Sequence, residues 1–141
     1  MKEKDSKFTQ YLLDCGIRSG WHDKEIDEFT NDPRALETVM QYVDNVGEML
    51  RNGLYLWGAN GTGKSHLLNT VFVRFIKERY RCRVYSMDDI VSNVTASWYS
   101  DEQRVMFQRM LCTVDFLGID EFGKNVDANG NAIPLPDLVK R

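Results

Sequence analysis

The 141-residue sequence has few of the residues that mark disulfide-rich, zinc-binding or membrane proteins. Its three cysteines, Cys15, Cys82 and Cys112, are widely spaced and form no C-x-x-C pair, which argues against disulfides and zinc fingers. Neither His22 nor His66 has a second ligand at metal-binding spacing. There is no run of eighteen apolar residues, and no apolar core follows the charged N-terminus. We therefore expect a cytoplasmic protein with reduced thiols and no membrane segment.

Charge is small in total but unevenly distributed. The net charge is −3; residues 1–50 hold 6 Lys/Arg against 11 Asp/Glu (−5), and residues 51–141 hold 12 against 10 (+2). One stretch is rich in cations: Arg74, Lys77, Arg79, Arg81 and Arg83. This stretch could contact nucleic acid, or it could be a solvated helix C-terminus, where cations are favoured by the helix dipole. The second interpretation is the simpler one.

Residues 58–65 fit the phosphate-binding pattern G-x-x-x-x-G-K-[ST]. Glycines permit positive φ and let backbone N–H groups approach a polyphosphate closely. Lys64 supplies a positive charge for the β- and γ-phosphates, and the Ser65 hydroxyl suits Mg²⁺. The predicted nucleotide-binding residues are therefore Gly58, Ala59, Asn60, Gly61, Thr62, Gly63, Lys64, Ser65 and, in the next helical turn, His66. An apolar run, Leu54–Trp57, predicts a strand before this loop, and helical spacing of apolar residues from Leu67 predicts a helix after it.

A second acidic element lies downstream. The apolar run Val114–Ile119 predicts a buried strand, and it ends in Asp120 and Glu121, as a Walker B motif does. Asp120 could hold Mg²⁺ directly or through water, and Glu121 could polarise the attacking water. Two solvated acids at a strand end would be the simpler interpretation, but the upstream loop disfavours it. The predicted catalytic residues are thus Lys64, Asp120 and Glu121, and the predicted metal ligands are Ser65 and Asp120.

The order of elements predicts an α/β fold with a parallel sheet in three layers, as in P-loop NTPases. Strands are predicted at 54–57, 83–87 and 114–119, with helices near 8–16, 33–50, 88–98 and 100–111. Asp32 is the predicted N-cap of the second helix, with Pro33 in its first turn. The phosphate site is expected at the carboxyl ends of the strands.

Three segments resemble the DnaC/IstB group of AAA+ ATPases, which contains bacterial and phage replicative helicase loaders and transposition helper ATPases. They are residues 58–67 (GANGTGKSHL), strand 83–87 with the following Asp88-Asp89-Ile90, and residues 114–123 (VDFLGIDEFG). The lead-in from Phe29 is also similar, so the likeness covers roughly residues 29–123. It implies a short helical lead-in over 1–28 and a partial AAA+ core over 29–141.

The resemblance implies partners as well as cofactors. Members of the group bind ATP and Mg²⁺, self-associate through their ATP sites, and act on a ring helicase and single-stranded DNA. Trp98 and Tyr99 lie where relatives carry DNA-facing residues, and stacking on a base contributes about 1–3 kcal/mol. Arg79 and Arg81 are further candidates for contacting DNA. The alternative is that both aromatic side chains pack in the core or at a subunit contact.

The sequence departs from the group after Glu121, where only 20 residues remain. Relatives there carry a fourth strand, between the P-loop and Walker B strands, and an arginine finger. Without that strand, each buried unpaired backbone group costs about 1–3 kcal/mol. We expect either a fragment of a longer ATPase or a short form completed by residues 124–141, a partner chain or another strand order. A helix onset at Pro136–Arg141 favours truncation.

The functional prediction is an ATP-binding DNA-replication protein similar to a helicase loader. Loss of an arginine finger typically costs about 10³–10⁵ in rate, so ATP hydrolysis is expected only in an oligomer or in the complete protein. The alternatives are a transposition helper ATPase and a non-catalytic interaction protein that retains half of an ATPase fold. A small-molecule kinase is disfavoured by the Asp120–Glu121 pair and by the lack of a recognisable lid.

Overall fold

A computed structural model describes residues 2–48 and 52–122. The chain divides between Glu78 and Arg79 into two compact units. The first contains the helices α1 (Lys2–Asp14), α2 (Pro33–Asp44) and α3 (Lys64–Lys77), and two short 3₁₀ turns at Ser19–Trp21 and Ile26–Glu28. The second contains strand β1 (Cys82–Ser86), helices α4 (Met87–Ser97) and α5 (Asp101–Thr113), and strand β2 (Phe116–Asp120). No helix in the described residues has the length and apolarity needed to cross a membrane.

Helix α3 is the most buried element of the first unit. Eight of its residues are buried, and Phe75 is only 1% exposed. Helix α3 contacts α2 and both 3₁₀ turns. Helix α2 begins as predicted: the Asp32 carboxylate accepts hydrogen bonds from the N–H groups of Arg34 (3.0 Å) and Ala35 (3.2 Å), and Pro33 occupies the first turn. The first unit thus places the lead-in against the helix that follows the glycine-rich loop.

The second unit is built on one parallel strand pair. Cys82 lies opposite Phe116, and the register continues to Ser86 opposite Asp120. Helix α4 packs on β1 and on α5. The cap of α4 is Ser86, whose hydroxyl accepts from the Asp89 N–H at 3.1 Å, so α4 begins slightly earlier than predicted. The pairing brings the carboxyl ends of both strands to one edge of this sheet, as parallel pairing requires.

The strand predicted over Leu54–Trp57 is wrong. These residues have no regular secondary structure, and the sheet of the described residues contains only β1 and β2. An extended segment becomes a strand through backbone pairing with a neighbour, and within residues 2–48 and 52–122 this segment has none. Side-chain alternation persists, with Tyr55 71% and Trp57 81% exposed while Leu54 and Leu56 are partly buried. The predicted three-stranded sheet is therefore two-stranded in the described part, and the helix predicted at Pro136 lies outside it.

Candidate nucleotide-binding site

The glycine-rich loop has the backbone conformation that its sequence predicts. Gly58, Gly61 and Gly63 all have positive φ, at 148°, 78° and 91°. Residues other than glycine rarely adopt these φ angles, because their Cβ would approach the following carbonyl too closely. The prediction of positive φ at the three glycines is confirmed. The loop folds back tightly on itself: the Thr62 hydroxyl donates to the Ala59 carbonyl at 2.8 Å.

Lys64 turns back over the loop that precedes it. Its ammonium donates to the carbonyl oxygens of Gly58 at 2.9 Å and Ala59 at 2.6 Å, and lies 3.4 Å from the Thr62 hydroxyl. The positive charge is therefore held at the loop rather than extended into solvent. Phosphate oxygens bind an ammonium more strongly than neutral carbonyls do, so a polyphosphate could displace these contacts.

Helix α3 begins directly at the loop. Gly63 is its N-cap in the left-handed conformation, and the Leu67 N–H donates to the Gly63 carbonyl at 3.1 Å as the first helical hydrogen bond. N–H groups of a first helical turn have no carbonyl partner within their helix, and they carry the positive end of the helix dipole. Ser65 lies in this turn and is half-buried. Loop and helix together therefore form the standard arrangement for binding an anion.

Two residues that precede α2, Phe29 and Asn31, contact this loop. The Asn31 side-chain amide donates to the Thr62 carbonyl at 3.1 Å. A Cβ added at Gly63 would come within 2.4 Å of the Phe29 ring and 3.0 Å of the Asn31 amide. Gly63 is thus required both for its φ and for the close approach of Phe29. Sequence reasoning missed this support, because nothing in the spacing of Asn31 and Thr62 signals a contact across 31 positions.

His66 makes contacts with the lead-in. Its ring packs against Trp21, with centroids 5.5 Å apart, and edge-on against Phe29 at 5.8 Å. Its Nε2 lies 3.4 Å from the Glu25 carbonyl oxygen. These contacts give His66 a packing role at the start of α3. Nucleotide binding by His66 remains a prediction.

The acidic pair lies at the end of β2 in the second unit. Asp120 is the last residue of the strand, and it is opposite Ser86 in the ladder. Glu121 follows in a left-handed conformation with φ 58°, and its N–H donates to the Asp120 carboxylate at 2.9 Å. The left-handed conformation costs a residue other than glycine about 1–3 kcal/mol. Residues held in it are concentrated at functional sites. Glu121 is exposed at this turn.

The four residues predicted to contact nucleic acid all lie in the second unit. Tyr99 is 92% exposed and Trp98 50% exposed, in the turn between α4 and α5. Neither side chain is therefore buried in the core. Arg79 is exposed and has φ 71° directly after α3. Their exposure leaves them accessible to a ligand.

Arg81 has a structural partner that the sequence did not reveal. Its guanidinium contacts both Asp115 carboxylate oxygens, at 3.0 and 3.3 Å, and its N–H donates to the same carboxylate at 2.8 Å. The Arg81 hydrogen bonds hold the pKa of Asp115 below its ordinary value, and the Asp115 carboxylate raises the pKa of Arg81. The Asp115 N–H also donates to the Arg81 carbonyl, so this pair holds the start of β2 beside the start of β1.

The predicted site residues therefore form two groups. Residues 58–66 come together in the first unit, and Asp120 and Glu121 lie together in the second. Residues 26–127, which include both groups and more than two thirds of the chain, match the model of the bacterial DnaA ATPase domain. The chain belongs to the bacterial DnaA ATPase domain family. The prediction of an AAA+ ATPase is thereby confirmed at the level of the family.

The comparison with curated proteins gives a relative of this DnaA-family domain. The uncharacterized protein YdaV of Escherichia coli (strain K12) is 32% identical to it over 84 residues, which are 60% of this chain and 34% of YdaV. The matched region thus spans about a third of the relative's length. No solved structure matches the chain.

Proposed function

We propose that this DnaA-family domain binds ATP and Mg²⁺ and works in DNA replication as part of a helicase loader. The observation that carries the proposal is the loop 58–65: three glycines with positive φ, a lysine ammonium held over the loop, and a helix that begins at once. The family match supports nucleotide binding. The narrower assignment to helicase loading rests on the resemblance of residues 58–67 and 114–123 to the DnaC/IstB group.

The residues of the loop fit the proposed ligand. Gly58, Gly61 and Gly63 have no side chain to hinder phosphate oxygens that approach the backbone. Lys64 has neutral partners that a phosphate could replace. The Ser65 hydroxyl and the Asp120 carboxylate stay the proposed Mg²⁺ ligands on the grounds of the sequence motifs alone. Magnesium sites of nucleotide enzymes commonly use one or two protein oxygens, with phosphates and water as the other ligands, so two protein ligands suffice.

The proposed chemistry is hydrolysis with Glu121 as the residue that orients water. Charge on the transferring γ-phosphoryl group must also be neutralised, and an arginine finger typically contributes about 10³–10⁵ in rate. No arginine of residues 51–141 is placed by a motif for this role. We therefore propose negligible turnover for the isolated chain, with hydrolysis arising in an oligomer assembled through the ATP sites or in a larger protein.

The proposed partners are a ring helicase and single-stranded DNA. Trp98 and Tyr99 are the candidate stacking residues, because both side chains are largely exposed and any base offers a face for stacking. Arg79 could contribute a phosphate contact. Arg81 is a weaker candidate than the sequence suggested, since Asp115 already engages its guanidinium.

Nucleotide titration tests the central step. Wild type should bind ATP·Mg²⁺, and Lys64→Ala should weaken binding strongly, because the only side-chain cation of the loop is removed. Lys77→Ala is the matched control: it removes a half-exposed lysine at the other end of α3, whose ammonium lies 3.8 Å from Glu25. Glu121→Gln should retain binding. If isothermal titration calorimetry showed no heat with wild type, or equal affinity for Lys64→Ala, the proposal would be wrong.

A second candidate is a non-catalytic interaction protein. The observation that favours it is the exposure of Tyr55 and Trp57, two large side chains beside the loop, in a segment that has no strand partner in the described residues. This candidate predicts partner binding that survives both Lys64→Ala and Glu121→Gln. Pull-down with the purified helicase distinguishes the two, since nucleotide-dependent association supports the loader.

A further inference from the structure

Asn31 makes a contact that the proposed function does not use. Its side-chain amide donates to the Thr62 carbonyl at 3.1 Å, across 31 positions of sequence, and lies 3.0 Å from where a Cβ of Gly63 would be. Phe29, two residues earlier, is 4% exposed and packs against Gly63 from the same segment. Both residues precede α2, whose first turn is fixed by the Asp32 cap. The segment that precedes α2 therefore contacts the peptide that joins Thr62 to Gly63.

The planarity of the peptide bond gives this contact a consequence. A trans peptide directs its C=O and N–H groups to opposite sides of the chain. The hydrogen bond from Asn31 fixes the direction of the Thr62 carbonyl, so the Gly63 N–H points away from Asn31. Gly63 has φ 91°, which glycine adopts with little cost and leaves readily, so the loop's own residues do not lock this plane.

We infer that Asn31 is a positioning residue, which holds the Thr62–Gly63 peptide so that the Gly63 N–H faces the β-phosphate of the nucleotide. This inference rests on the proposed function, since it needs a nucleotide at residues 58–65. Asn31 itself touches no phosphate. It acts through the orientation of one backbone donor, the Gly63 N–H. Phe29 fills the space behind Gly63 and so limits displacement of the peptide towards that side.

Nucleotides with and without a β-phosphate should respond differently to loss of the Asn31 contact. Loop N–H groups of this motif bind the α- and β-phosphates, so a misdirected donor costs affinity for ligands that carry a β-phosphate. AMP lacks that group and ADP has it. A hydrogen bond to a charged group makes a moderate contribution, so loss of the Gly63 donor should weaken ADP binding about tenfold. AMP binding should not change.

The test compares ADP and AMP affinities, with Mg²⁺, for wild type and Asn31→Leu. Leucine has the same number and branching of side-chain heavy atoms as asparagine, but it has no donor and is somewhat larger. The matched control is Asn93→Leu, because the Asn93 amide also donates to a backbone carbonyl, that of Asp89 at 2.8 Å, on the exposed face of α4. Asn31→Ala serves as a second variant if leucine disturbs folding. Calorimetry gives the affinities, and thermal unfolding without nucleotide shows whether each variant is folded.

The result expected is a ratio of ADP to AMP affinity about tenfold lower in Asn31→Leu than in wild type and Asn93→Leu. An unchanged ratio overturns the inference, whether both affinities stay constant or both fall together, since a merely structural role would weaken the two ligands alike. If wild type binds ADP but the affinity ratio is unchanged in Asn31→Leu, the inference is wrong and the proposed function stands. Wild type that binds neither ligand overturns the proposed function, and the inference with it.

Discussion

The loop at residues 58–65 and the turn at Asp120–Glu121 are held in place by different means. In the loop, three glycines adopt angles closed to other residues, and side chains from the lead-in close the space behind Gly63. At the turn, the ladder between β1 and β2 carries Asp120 to its position, and one hydrogen bond from the Glu121 N–H to the Asp120 carboxylate completes the turn. Side-chain packing and the lack of a Cβ shape the first segment, whereas backbone pairing shapes the second.

This difference predicts different sensitivity to substitution. A methyl group in the loop meets a ring or forces an unfavourable φ, so small changes should be costly there. Around the strand end, the backbone hydrogen bonds of the ladder do not depend on side-chain identity, and Glu121 is exposed. Conservative changes at Glu121 should therefore be tolerated structurally while removing the carboxylate that the proposed chemistry needs.

The largest effect should come from Gly63→Ala. Its Cβ would lie 2.4 Å from the Phe29 ring, at φ 91°. Overpacking and left-handed strain each cost about 1–3 kcal/mol, so we expect the free energy of unfolding to fall by about 2–6 kcal/mol. Urea denaturation followed by Trp fluorescence measures it, and ATP binding should be lost as well.

Other glycines separate the two causes in this prediction. Gly61→Ala imposes strain at φ 78° with nothing within 4 Å, so it should cost less than Gly63→Ala. Gly53→Ala has neither clash nor positive φ, and its unfolding free energy should stay within about 0.5 kcal/mol of wild type. Equal stabilities for the Gly63 and Gly61 variants would show that packing behind the loop is unimportant.

The next effect concerns the cap beside Asn31. Asp32→Ala removes an acceptor for two N–H groups of α2, at 3.0 and 3.2 Å, and should cost about 1 kcal/mol. Ser100→Ala removes the cap of α5, which accepts one N–H at 3.3 Å, and should cost less. Urea unfolding of both variants gives the comparison. A larger loss for Ser100→Ala would contradict the view that the cap supporting the lead-in is the stronger one.

These cases show which features the sequence could predict. The loop glycines and the Asp32 cap depend on residues within a few positions, and their patterns predicted them. The alternation of strands and helices predicted a parallel sheet, and the pairing of β1 with β2 is parallel. The prediction of a strand at Leu54–Trp57 was wrong, because a strand needs a neighbouring strand and the apolar pattern of one segment does not show whether there is one. The contacts Asn31–Thr62 and Arg81–Asp115 span 31 and 34 positions, so only the folded chain reveals them.

A smaller effect, of opposite sign, is expected at the turn. Glu121 has φ 58°, a conformation that asparagine adopts more easily than glutamate. Glu121→Asn should therefore stabilise the protein by about 0.5 kcal/mol. Glu121→Gln is the matched control, since it removes the charge but keeps the unfavourable conformation. Chemical denaturation measures both, and a Glu121→Asn protein less stable than Glu121→Gln would contradict strain at this residue.

The smallest effect near neutral pH should come from the Arg81–Asp115 pair, because the two side chains are 67% and 31% exposed and water screens them. Hydrogen bonds from Arg81 hold the pKa of Asp115 below its ordinary value of 3.8. A lowered folded-state pKa contributes stability above pH 3.8, and that stability is lost as pH falls through the folded value. In Asp115→Asn this part of the acid destabilisation should disappear, as urea midpoints across the acid range would show. In an Arg81→Leu background the same substitution should change the pH dependence less, because the guanidinium is removed while the backbone N–H of residue 81 still donates to Asp115. An equal change in both backgrounds would mean that the Arg81 guanidinium does not lower the pKa of Asp115.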